Sequence, residues 1–191
     1  MNDAMITDIR ILKTKRTTRK ALITLLKNKK FDQITVKDIC QQAEISRGTF
    51  YLHYKDKYDL VYQYQIDMMQ KGSEKVKQLI DTDRNLLFFN MINFWNNEAE
   101  LLLLLISKNG SVDIQNQVKS MLQNHIEKNI LYFVNPPRLN EKEKHYFAIF
   151  LSNAVFGIIQ EWVNNGQQET PQELATIINI IVPESWLRRD M

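Results

Sequence analysis

A single cysteine, Cys40, stands among 191 residues, with only three histidines, four prolines and five glycines. One thiol cannot close an intrachain disulfide and offers no second thiolate to a metal. Val36, Ile39 and Ala43 around it mark Cys40 as a small core residue, since a redox-sensing thiol needs an exposed, electropositive setting. The closest glycines, Gly157 and Gly166, are nine residues apart, which excludes a phosphate-cradling glycine loop. There is also no Gly-x-Ser-x-Gly elbow and no His-Glu-x-x-His pair, and His53, His125 and His145 show no ligand spacing. No catalytic residue, metal or cofactor is therefore expected. The longest apolar run, Leu101 to Ile106, falls far short of the ~20 residues that span a bilayer. Met1 to Ile11 carries Asp3 and Asp8 without a long apolar core, so it does not read as a signal peptide. A cytoplasmic protein with no membrane partner is expected.

Apolar residues make up 44% and charged residues 25%, enough apolar content for a packed core and too much for a disordered chain. The formal net charge of +3 conceals an asymmetry. Residues 1–57 hold 13 Lys/Arg against 6 Asp/Glu, whereas residues 58–191 hold 12 against 16. A basic front end on an acidic body points to an anionic partner, nucleic acid first and an anionic membrane surface second; a merely solvated basic face is the alternative.

Helical periodicity dominates, and no stretch alternates β-branched residues between hairpin turns, so the fold class expected is all-α. Ala21, Leu22, Leu25 and Leu26 form one stripe of a helix from Lys13 to Asn28, with Lys13, Lys15, Arg16, Arg19 and Lys20 on the other side. Thr35, with Asp38 three residues on, opens a second helix through Ala43. Glu44-Ile45-Ser46 makes a tight turn, and Ser46 caps a short helix from Arg47 to about Tyr54. Asp56 caps a long helix from Lys57 towards Ile80. Further helices are expected over Leu86–Trp95, Ala99–Lys108, Val112 to about Val134, and from Asn140 to Gly166. A last one opens at Pro171, a tolerated first-turn proline, and stops at Pro183. The domains expected are 1–57, with 1–12 as an arm, and 58–191.

The segment from Thr35-Val-Lys-Asp-Ile through Ala43-Glu-Ile-Ser46-Arg-Gly-Thr49-Phe-Tyr51-Leu-His53-Tyr54-Lys55-Asp-Lys57-Tyr-Asp-Leu60 resembles the DNA-binding domain of the tetracycline-repressor (TetR) family of bacterial regulators. Gly157 to Gly166 followed by Thr170-Pro171-Gln-Glu-Leu174 looks like the junction of that family's last two helices. One departure stands out: Glu44 occupies a turn position where the family usually has glycine. The resemblance implies a helix-turn-helix whose second helix enters the major groove. By position in the motif the candidate DNA contacts are Thr35, Ser46, Arg47, Gly48, Thr49, Tyr51, His53, Lys55 and Lys57. Arg47 would read a guanine and Thr49 a thymine methyl or a phosphate, while Gly48 allows close approach. Tyr51 and His53 would hold phosphates, as would Thr35 and Lys57 at helix N-termini. Phe50 and Tyr54 belong to the core.

A recognition helix this short reads few base pairs, so a homodimer on a palindromic operator is expected. The apolar stripes Phe147, Leu151, Val155, Ile158, Trp162, Leu174, Ile178 and Ile181 are the candidate seam, with intrachain core as the competing use. Met68, Met69, Phe88, Met91, Phe94, Trp95 and Met121 offer adaptable surface to a small apolar or amphipathic effector, or else simply fill the core. The function expected is a sequence-specific transcriptional regulator, a homodimeric repressor modulated by an effector. Control by a protein partner, or a helical interaction protein with a basic face, stays open.

Overall fold

The computed structural model describes residues 3–80, 86–131 and 139–182. Among them are nine α-helices and no strand: α1 (Asp3–Leu26), α2 (Val36–Ala43), α3 (Arg47–Tyr51), α4 (Lys57–Ile80), α5 (Leu87–Glu98), α6 (Glu100–Ile106), α7 (Val112–His125), α8 (Glu141–Asn164) and α9 (Pro171–Ile181). The all-α expectation holds. Pro136, Pro137 and Pro183, expected as helix stops, lie outside the described residues.

Residues 3–12, expected as an arm, are the first turns of a continuous α1. That helix buries Thr18, Ala21, Leu22 and Leu26 and leaves Lys13, Arg16 and Lys20 in solvent. α1 lies against both α2 and α6. One hydrophobic core runs unbroken from Leu22, Ile39, Phe50 and Leu60 to Leu105, Val118 and Phe156. The expected boundary at residue 57 therefore falls inside a shared core, at the first turn of α4.

Local chemistry sets the helix ends. The Thr35 hydroxyl accepts from the Asp38 amide at 3.1 Å while the Asp38 carboxylate accepts from the Thr35 amide at 2.8 Å, a complete capping box. Asn140 with Glu143 and Thr170 with Glu173 repeat the device at α8 and α9. Between α2 and α3, Glu44 sits at φ 55°, ψ 40°. The turn keeps the left-handed shape that suits glycine and imposes it on a glutamate, a strain on the order of 1 kcal/mol. Glu44→Gly should therefore raise stability by about 1 kcal/mol, or roughly 2–4 °C in melting temperature. Thermal unfolding checks this, and a variant no more stable than wild type would refute it.

After α7 the chain widens into one π-helical turn, Ile126–Ile130. α8 is long and apolar enough to cross a membrane by length and composition alone. The cause is visible in its packing: one side (Ala148, Leu151, Val155, Phe156, Ile159, Trp162) is buried, and the exposed side still carries Tyr146 and Phe150.

Candidate nucleic-acid interface

α3 is a helix of two faces and only five residues. It stops at Tyr51 because the His53 and Tyr54 amides both turn back to the Phe50 carbonyl, at 3.0 Å each, and Tyr54 folds into the core. The expected extent to Tyr54 is thus too long. Phe50 is fully buried and meets the Tyr51 and Tyr54 rings at 5.5 and 5.4 Å, which holds α3 to the body of the domain.

The outward face presents Arg47, Gly48, Tyr51 and Leu52, with Thr49 and His53 half-buried beside them and Lys55 exposed just beyond. Ser46 caps the helix by accepting from the Thr49 amide at 3.0 Å, and its hydroxyl lies 2.9 Å from that of Thr49. Ser46 is thereby a cap that orients Thr49. The Arg47 guanidinium lies 6.0 Å from the Tyr51 ring centre, and its contact with Tyr51 pushes its pKa further up. Arg47 and Tyr51 present one cationic, ring-backed patch. A Cβ on Gly48 would meet only the Ser46 hydroxyl, at 3.6 Å. The protein's own fold does not require glycine there. Leu52, 82% exposed, went unnoticed in the sequence; its place at the tip of α3 suits contact with a thymine methyl.

Two expected phosphate contacts look different in place. The Lys57 ammonium donates to the carbonyls of Phe31 (2.9 Å), Asp32 (3.2 Å) and Ile34 (2.8 Å). All three of its protons are used inside the protein. It also sits 4.6 Å from the Phe31 ring centre, and burial lowers its pKa against the pull of Asp32 and Asp56. In this chain Lys57 pins the loop before α2. Thr35 likewise spends its hydroxyl on Asp38, to whose carboxylate it donates at 2.8 Å. What the start of α2 retains for a phosphate is its first unpaired amides.

In the body, Met68, Met69, Met91, Phe94 and Trp95 line a cavity of about 70 Å³, joined by Leu102, Asn90, His125 and Ile126. Phe88 is buried in the core, and Met121, half-buried, lies off the cavity wall, so neither lines it. Of the expected dimer seam, Leu151, Val155, Trp162, Leu174 and Ile178 are buried within one chain. They pack α8 and α9 against their own body. Phe147 and Ile158 are half-buried, and Ile181 is exposed. The apolar residues left outside are Tyr146 and Phe150 on α8 and Ile177, Ile180 and Ile181 on α9. This outer row lies about one helical position from the expected seam on α8.

Comparison with known proteins agrees with this layout. Residues 20–63 match the family described as bacterial regulatory proteins, tetR family, and residues 85–184 match a transcriptional regulator C-terminal region of the same group. Over 57 residues the chain is 39% identical to the uncharacterized HTH-type transcriptional regulator YxbF of Bacillus subtilis (strain 168); the match spans 30% of this chain and 15% of that protein. A TetR transcriptional regulator from Streptococcus agalactiae 2603V superposes with a TM-score of 0.67 at 22% identity, covering 94% of this chain and 99% of the other. The fatty acid degradation regulator FadR from Bacillus halodurans gives 0.67 at 12% identity, over 88% and 92%. NalD of Pseudomonas aeruginosa, a secondary repressor of a multidrug efflux pump, gives 0.61 at 15%, over 94% and 99%. At these identities the likeness is one of fold.

Proposed function

Because this chain belongs to the TetR family of DNA-binding transcriptional regulators, we propose that it acts in the cytoplasm as a homodimeric repressor, binding a palindromic operator through α3. The observation that carries this is the outward face of α3, where Arg47, Gly48 and Tyr51 stand exposed above a fully buried Phe50. Pairing of two copies is supported by the exposed apolar row on α8 and α9. On the same side as Tyr146 and Phe150, at steps of three and four residues, Gly157 is exposed with nothing within 4 Å of a Cβ, room for a second helix to approach.

The cavity supports control by a small apolar effector. A volume of about 70 Å³ holds no drug-sized molecule as it stands. Three of its walls are methionines, which change rotamer readily, so an apolar ligand can enlarge it by moving them. The same small volume supports a second reading, control by a protein partner with no small-molecule effector.

Selection of bound fragments from random duplex DNA tests the proposal. The expected product is a palindromic motif; an asymmetric motif would sink the paired reading, and no enrichment would sink DNA recognition through α3. On that motif Thr49→Ala and Tyr51→Ala should each weaken binding by roughly tenfold, ~1.4 kcal/mol, without lowering the melting temperature. Gly48→Ala should leave the protein at least as stable, because alanine favours a helix by ~1 kcal/mol over glycine, and still lose affinity. Unchanged binding in all three would overturn the contact assignment.

A further inference from the structure

The turn between α6 and α7 belongs to the body, yet it makes hydrogen bonds in two directions. Towards the DNA-binding end, the Asn109 side-chain amide donates to the Leu26 carbonyl at 2.8 Å, and the Asn109 carbonyl accepts from the Phe31 amide, also at 2.8 Å. These close off the last turn of α1 and the loop that Lys57 grips from its other side. Towards the body, the Gln160 side chain of α8 donates to the Ile106 carbonyl at 2.7 Å, and Asn164 of α8 accepts from the Lys108 amide at 2.8 Å. Gln115 of α7 adds a donation to the Ser107 carbonyl at 3.0 Å. One turn upstream on α6, Leu102 is a wall of the cavity.

We propose that Asn109 is the positioning residue that fixes the angle of the helix-turn-helix on the body, and so sets the half-site spacing the dimer accepts. It rests on the homodimeric reading given above. A hydrogen bond constrains direction as well as distance, and two bonds from one residue to both flanks of the α1–α2 junction resist rotation about either one alone. Arg19 with Asp67 and Lys27 with Glu100 also join α1 to the body, but these pairs are solvent-exposed at one or both members and yield readily. The effect on DNA follows from geometry. Adding one base pair between half-sites moves them ~3.4 Å apart and turns one by roughly 35°, since a helical turn takes 10–10.5 base pairs. A rigid mount rejects such a duplex, and a loosened mount tolerates it.

The test uses the full-length protein and the palindrome obtained by selection, rebuilt with its half-sites moved by one and two base pairs in either direction, alongside a single half-site. Wild type should prefer its own spacing by about tenfold or more. Asn109→Ala, which removes the bond to Leu26, and Asn109→Asp, which replaces the donor by a repelling acceptor of the same shape, should cut that preference to under about threefold. Half-site affinity should stay within about twofold, with helical content by circular dichroism unchanged. Variants that keep the wild-type spacing preference overturn the proposal. So does a loss of half-site affinity in the milder Asn109→Ala, which would show that Asn109 only helps the domain to fold. A wild-type chain indifferent to spacing overturns the homodimeric reading, and this inference with it, before any substitution is made.

Discussion

Lys57→Met should lower stability by about 3 kcal/mol, roughly 6–12 °C in melting temperature, and should do so in the absence of DNA. The ammonium satisfies three carbonyls of one loop, at 2.8–3.2 Å. Hydrogen bonds to a charged group contribute roughly 1.5–3 kcal/mol each, less when several share one donor, and two of the carbonyls left behind, those of Phe31 and Ile34, are partly buried. Methionine keeps the length and apolar stem of lysine, so the loss reports the head group alone. Lys57→Arg separates this role from a phosphate contact. Arginine serves well at a phosphate, but its flat fork does not converge on three carbonyls as an ammonium does. Lys57→Arg should therefore be destabilised by at least ~1 kcal/mol, where a phosphate-gripping lysine would tolerate the change. A second readout is the dependence of DNA binding on salt. Removing a phosphate contact lowers the slope of log affinity against log salt by about one. For Lys57→Met, measured well below its melting temperature, the slope should not change. A stable Lys57→Met with a reduced slope would restore the phosphate assignment.

Gly110→Ala is the other substitution with a large expected effect. A Cβ there would stand 1.6 Å from the Leu105 carbonyl oxygen and 2.5 Å from its carbon. Those are backbone atoms of α6, and no change of rotamer relieves the overlap. The turn must open or the end of α6 must unwind, and either movement disturbs Asn109, Ser107 and the bonds they make. Forcing a methyl group into a packed site commonly costs about 1–3 kcal/mol, and this overlap with backbone belongs at or above the upper figure. Urea unfolding should show a loss of about 3 kcal/mol or more. A loss under ~1 kcal/mol would mean that the turn is not closed against α6 in solution. The contrast with Gly48 is instructive. Gly110 is demanded by the protein's own backbone, whereas Gly48 has free space around it and answers to whatever approaches from outside.

What could be read from the sequence was whatever depends on neighbours a few residues apart. The Thr35–Asp38 box and the Ser46 cap each join residues no more than three apart, and each was legible; Glu44 stood out only by its departure from the family's glycine. The burial of Phe50 and Tyr54 was legible too, although the helical face expected to carry both ends at Tyr51, and Tyr54 reaches the core from the turn beyond it. The loop contacts of Lys57 were not legible because its three partners lie 23–26 residues away, and a lysine at the start of a helix beside a DNA-binding motif looks the same whether it points out or in. The burial of most of the expected α8 seam within one chain has a different cause. That helix is apolar on two sides, so periodicity alone could not say which row faces its own body. The short α3 escaped because Leu52 and His53 are no helix breakers. It is the burial of Tyr54 that turns the chain. At Asn109-Gly110 the dipeptide itself signals a turn, and only the tertiary packing shows that the turn reaches Leu26 and Phe31.

The placement of that turn bears on whether the DNA-reading half can be transplanted. Grafting the first 63 residues onto another regulator's body would carry over the caps, α3 and Lys57, and would leave behind the residue that completes the Leu26 and Phe31 backbone bonds. The helix-turn-helix of this chain is thus not a self-contained cartridge. A working chimera would have to bring the 106–110 turn with it, or find in its new host a loop that presents an amide and a carbonyl at the same two points.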